Sequence, residues 1–194
     1  SLAFPEFIST SPSIELLLKK KIAVLKDSKS QENVVAEFKD KYLPVVSSSN
    51  VYKVALLVPN CRDEIKITME EYWYLQLQEF EHVKGDGGLL DILGKGQTSF
   101  DAIVVDAEVD SVRGRYKGLR DLLSLYRESN IPVFLYTDVE AELLQDDLSE
   151  EEYKYVVQGK LFRRKEASSI DRLVRNLRSE LDGGDNNTAK VRGQ

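Results

Sequence analysis

Apolar residues follow two spacings along this chain. Unbroken apolar runs recur within residues 51–58, 103–105 and 131–136, and between them apolar positions return every three or four residues. An unbroken run predicts a strand covered on both faces. The three-to-four spacing predicts a helix with one buried stripe. The clearest strand is Phe100-Asp101-Ala102-Ile103-Val104-Val105-Asp106. Strands are expected at 51–58, 80–83 (the weakest), 103–105, 131–136 and 161–163. Helices are expected at 63–76, 89–93, 116–129 and 169–181, with a further helical stretch ending near Val157 inside the acidic segment. Strand and helix in alternation predict an α/β fold, a doubly wound five-stranded parallel sheet.

Residues 1–50 read as a helical extension or linker. An extended start, Phe4-Pro5-Glu6-Phe7-Ile8, precedes Ser11-Pro12-Ser13, a helix-start signal for 14–25. A second helix over 31–42 is stopped by Pro44, and the polar Ser47-Ser48-Ser49-Asn50 marks a boundary. These helices leave three arrangements open: a homodimer, packing against the sheet domain, or the end of an upstream domain. The sheet domain spans 51–182. The polar Gly/Asn-rich tail, 183–194, is expected to be disordered.

Composition narrows the function classes. A net charge of −6 and a pI near 5.0 argue against broad nucleic-acid binding but leave local basic patches open. One cysteine, Cys61, excludes an intrachain disulfide and a cysteine-rich metal site. No apolar run approaches the roughly 18 residues of a membrane span. No signal-peptide pattern opens the chain. A cytoplasmic location is the expectation. The chain does not begin with Met, so a piece of a longer protein is open.

Ligands and chemistry of open α/β sheets gather at the carboxyl ends of the strands. Asp106 ends the central strand, Thr137 follows the next, and Arg163-Arg164-Lys165 closes the last. An acid, a hydroxyl and a cation there suit a phosphoryl group carried on a carboxylate. Alternation along a strand places Arg163 and Lys165 on one face and Arg164 on the other. Other motifs carry less. His82 is the single histidine and has no partner suggested by spacing. Gly94-Lys95-Gly96-Gln97-Thr98-Ser99 fails the phosphate-loop pattern and precedes a strand. Tyr72-Trp73-Tyr74 falls in the predicted 63–76 helix, Lys19-Lys20-Lys21 reads as a solvated face, and a free thiol at Cys61 is usually incidental.

From Val51 to about residue 181 the chain resembles the response-regulator receiver domain of two-component signalling. The resemblance rests on Asp86-Gly87-Gly88-Leu89-Leu90-Asp91-Ile92-Leu93, the Asp106 strand, Gly118-Leu119-Arg120-Asp121-Leu122-Leu123, the strand from Ile131 to Thr137, and Phe162-Arg163-Arg164-Lys165. It implies a flavodoxin-type fold. Asp106 is then the phosphoacceptor, Thr137 the hydroxyl that reports the phosphoryl group, Phe162 the aromatic switch and Lys165 the phosphate's partner. It also implies Mg²⁺ held by Asp106 and the backbone carbonyl of Glu108; Asn60 can offer a neutral oxygen, and Asp63 and Glu64 just downstream are substitute ligands or, the preferred reading, acids suited to a helix N-terminus. The implied partners are a histidine kinase or phosphotransfer protein and a downstream protein.

The chain departs from that pattern where the family has an acidic pair after the first strand; here stand Pro59-Asn60. Mg²⁺ favours hard oxygen ligands, so losing carboxylates weakens it. Glu166 replaces the proline that usually follows the lysine, and the acidic stretch 138–158 is longer than usual. The main expectation is a phosphoacceptor that alters a protein-binding surface and is not an enzyme. The alternatives are a pseudo-receiver that binds proteins without being phosphorylated, and a small doubly wound enzyme or nucleotide binder. No Gly-rich loop follows the first strand, which counts against the last.

Overall fold

The computed structural model describes residues 28–42, 50–96, 98–113 and 115–191. The expected helix at 14–25 and the lysines at 19–21 lie outside them. Two compact units divide the chain. The described part of the first comprises helix α1 (Ser28–Tyr42), Asn50, Val51 and the segment Glu70–Tyr74. Within that segment the Tyr72 and Tyr74 rings sit 5.7 Å apart, and Trp73 meets Tyr74 edge-on at 5.6 Å.

The second unit is a five-stranded, all-parallel sheet with flanking helices, the flavodoxin-like arrangement. In chain order it runs β1 (Tyr52–Leu57), a single 3-10 turn (Pro59–Cys61), α2 (Arg62–Glu70), β2 (Leu75–Glu79), α3 (Leu89–Gly94), β3 (Ala102–Val105) and α4 (Lys117–Ser129). Then follow β4 (Val133–Thr137), α5 (Ala141–Gln145), α6 (Glu150–Val157), β5 (Leu161–Arg163) and α7 (Ser169–Val191). The spatial order is β2-β1-β3-β4-β5. It reverses between β1 and β3, where the chain leaves a crevice at the strands' carboxyl ends.

Side chains two apart along a strand share a face. Ala55 and Leu57, Ile103 and Val105, and Val133 and Leu135 join Leu119, Leu122 and Leu123 of α4 in one apolar core. The alternate set, Val54, Leu56, Val104, Phe134 and Tyr136, is equally buried. Each such side chain withdrawn from water contributes about 1.5–3 kcal/mol. The register pairs Leu57 with Val105 and Val105 with Leu135, so β1 and β3 end side by side and β4 runs two residues further to Thr137.

The structure corrects the sequence reading at three places. Helix α2 ends at Glu70, not near 76, and β2 is Leu75–Glu79 rather than 80–83. The strand's Leu-Gln alternation suits a sheet edge, and its residues from Gln76 to Glu79 stay partly or fully exposed. Tyr72-Trp73-Tyr74 therefore lies in the α2–β2 connection. Helix α7 continues past Gly183 to Val191. Each residue added to a formed helix gains a hydrogen bond without a new nucleus, which offsets the roughly 1 kcal/mol cost of a glycine.

Candidate functional site at the carboxyl ends of β1, β3 and β4

Asp106 leaves β3 directly into the crevice, and its own N–H extends the ladder to the Leu57 carbonyl at 2.9 Å. It is only 2% exposed. Its Oδ1 accepts the Thr137 hydroxyl at 2.7 Å and the Glu108 N–H at 3.2 Å. Thr137 is fully buried at the end of β4. Its Oγ1 accepts the Val139 N–H at 3.3 Å, which leaves the hydroxyl proton for Asp106. Phe162 is buried in β5 beside Tyr136, its register partner. Sequence reasoning placed these three residues together, and the structure gathers the first two in direct contact.

The cation is a different residue from the one expected. Lys165 is exposed and makes no hydrogen bond or ion pair among the described residues. Arg164 faces the site instead. Its N–H donates to the Thr137 carbonyl at 3.2 Å, and its guanidinium pairs with Asp138 at 3.5 Å. Strand β5 ends at Arg163, so its alternation does not govern the residues beyond it. Burial works against the Arg164 charge, yet Cys61 and the carboxylates of Asp138, Asp106 and Glu64 outweigh it and raise its pKa. The Arg164 Nε is buried without a hydrogen-bond partner among the described residues.

Arg164 closes a groove of about 440 Å³ together with Pro59, Asn60, Cys61, Asp63 and Glu64. Cys61 is buried, and burial pushes its thiol up to about 11. Arg164 opposes that rise, whereas Asp106, Glu64 and Asp138 add to it. Burial likewise raises the Tyr136 phenol, and Glu64 raises it further by accepting its hydroxyl at 3.2 Å. The thiol and the phenol are therefore neutral at neutral pH, and neither is an activated nucleophile.

The residues present do not fit a Mg²⁺ site. Asp63 is an exposed acid in the first turn of α2, suited to the helix dipole. Asn60 is exposed in the 3-10 turn. The Glu108 carbonyl already accepts the Ser111 N–H at 3.0 Å within its own turn. Among the described residues, no three His, Cys, Asp or Glu side chains stand close enough to hold a metal ion. A hard divalent cation would need several oxygens gathered around Asp106, and the described residues hold no such group of three.

No family model and no curated protein matches this chain. Among solved structures, one described as yeast Spc42 trimeric coiled-coil amino acids 181–211 in a fusion superposes with a TM-score of 0.51 at 15% identity. That match covers 73% of this chain and 82% of the other. At such identity the likeness speaks to fold alone. No helix among the described residues is long and apolar enough to cross a membrane.

Sequence reasoning missed two participants. Arg164 was one of three adjacent cations, and only the early end of β5 selects it. Cys61 reads as incidental in the sequence, although its place at the end of the 3-10 turn that follows β1 puts it on the groove wall. The available signal was proximity in sequence to a strand's carboxyl end, not residue type.

Proposed function

We propose that this chain is a pseudo-receiver: a cytoplasmic, receiver-like module that binds a protein partner and is not switched by phosphorylation. The observation that carries the reading is the closure of Asp106. The carboxylate is 2% exposed and already holds the Thr137 proton at 2.7 Å. A phosphoryl donor needs an in-line approach to that oxygen, and a nucleophile must be free to meet it. Arg164, paired with Asp138 and felt electrostatically by Asp106, brings a positive charge to the neighbourhood of a site where the family relies on a metal. With Thr137 and Phe162 already turned inward, a receiver-like domain stands in its switched arrangement without an added anion. The module therefore acts by binding and is not an enzyme.

A working receiver, fed by a histidine kinase or phosphotransfer protein, is the second reading. The same Asp106–Thr137 contact favours it, because that pair would hold the phosphoryl group once it formed. Intact-mass analysis after incubation with acetyl phosphate, with and without Mg²⁺, separates the two. The pseudo-receiver gives an unmodified mass in both cases. A single phosphoryl adduct absent from Asp106→Asn would replace it with the working receiver.

A further inference from the structure

A groove of about 880 Å³ whose lining does not include Arg164 lies between the loop after β3 and one face of α4. Five cationic side chains line it: Arg113, Arg115, Lys117, Arg120 and Arg127. The whole chain carries 27 Lys and Arg against 33 Asp and Glu, so this patch runs against the prevailing charge. Its two carboxylates are engaged. Asp121 pairs with Lys84 at 3.1 Å. Glu152 pairs with Arg127 at 3.1 Å and caps α6 by accepting the Ser149 N–H at 2.9 Å. Arg120 reaches Asp147 only at 3.9 Å. Arg113, Arg115 and Lys117 have no carboxylate partner among the described residues.

The loop is built to hold its arginines out. Val112 and Arg115 exchange backbone hydrogen bonds at 3.3 and 3.1 Å, and Ser111 Oγ donates to the Arg115 carbonyl at 3.1 Å. Arg113 sits in the left-handed region at φ 55°, uncommon for a residue with a long side chain. Val112 is 66% exposed at the groove's edge. On α4, Lys117, Arg120, Ser124 and Arg127 follow one another at spacings of three, four and three, a stripe about 15 Å long along one helix face.

We propose that this groove is a docking site for an acidic polypeptide segment of a partner protein, with Asp or Glu side chains meeting the arginines and an apolar side chain meeting Val112. The stripe is elongated, as a peptide is, and arginine forks pair bidentately with carboxylates. Two observations turn the choice away from nucleic acid. None of the lining residues is aromatic, so within the groove itself bases find no ring to stack on. The N-terminal end of α4, where a phosphate is best received, already has the Tyr116 N–H given to Asp147 at 2.8 Å. This inference shares no residue with the Asp106 site and does not depend on how that site is read.

Fluorescence anisotropy of the full chain tests it with three labelled probes: a short Glu/Leu peptide, a Lys/Leu peptide of equal length and a short single-stranded DNA. The Glu/Leu peptide should bind saturably and weaken as salt rises, and the other two should not. Combining Arg113→Glu, Arg115→Glu and Arg120→Glu should weaken that binding by about ten-fold or more. Combining Arg175→Glu, Lys154→Glu and Lys165→Glu, the same charge change on exposed positions outside the groove, should leave it unchanged. Should the groove variant unfold, Arg113→Gln alone, checked by its thermal midpoint, serves in its place and should still weaken binding. Absence of saturable peptide binding, binding kept by the groove variants, or DNA binding as tight as the peptide overturns the proposal.

Discussion

Thr137 donates its hydroxyl proton to Asp106 at 2.7 Å, joining the ends of β4 and β3 by a charge-assisted hydrogen bond out of reach of water. The same oxygen accepts the Val139 N–H, so one hydroxyl serves a buried donor and a buried acceptor at once. Thr137→Val keeps the shape and removes both services. It should cost about 1–3 kcal/mol in urea unfolding, and Thr137→Ser should restore most of it. A Thr137→Val variant as stable as the parent would mean that Asp106 finds another donor.

Arg164 and Asp106 act on Cys61 with opposite sign. The thiol stands at about 11, raised chiefly by burial, with the guanidinium lowering that value and the carboxylate raising it. Iodoacetamide should therefore react sluggishly near neutral pH and faster only as the pH climbs toward that value. Arg164→Gln should move the profile to higher pH, and Asp106→Asn should move it lower. An unmoved profile in both variants would remove these charges from the account of the crevice.

The central strands were legible because burial on both faces writes an unbroken apolar run. Ala102-Ile103-Val104-Val105 and Val133-Phe134-Leu135-Tyr136 can satisfy that pattern in few other ways. Strand β2 was not legible. At a sheet edge Leu75 and Leu77 alternate with Gln76 and Gln78, and the preceding Tyr72-Trp73-Tyr74 extends the apolar spacing of α2 past its true end. The candidate site was half legible. Asp106 and Thr137 are fixed by strand ends that the sequence locates. The cation depends on where β5 stops, which three similar residues in a row leave open. Contacts such as His82 with Asp110, 28 residues apart, follow from loop packing that no spacing encodes.

His82 is exposed, yet its Nδ1 lies 2.9 Å from Asp110 Oδ1. The hydrogen bond and then the charge of Asp110 raise its pKa above the ordinary 6.5. A raised folded-state value adds stability that is fully present below about 6.5 and is lost as pH rises through the folded-state pKa. As the chain has one histidine, its ring Hε1 proton gives one titrating NMR signal with no other histidine to overlap it. The midpoint should lie above 6.5 and fall toward it in Asp110→Asn. A midpoint at or below the ordinary value in the parent would mean that the two side chains do not pair in solution.

Gly118 is where α4 supports that same loop. A Cβ there would stand 2.5 Å from the Val109 carbonyl oxygen and 3.2 Å from Asp110 Cβ, so backbone would have to move. Alanine favours a helix over glycine by about 1 kcal/mol, but an atom forced into a packed contact costs about 1–3 kcal/mol. Gly118→Ala should therefore lower stability in urea unfolding. The displaced loop carries Asp110, which also accepts the Val83 N–H at 2.7 Å and so ties the loop to the segment holding His82. The His82 midpoint should fall toward 6.5 in the same variant. Loss of stability with an unchanged His82 midpoint would place the strain in α4 itself, and unchanged stability would mean the loop yields to the methyl group without cost.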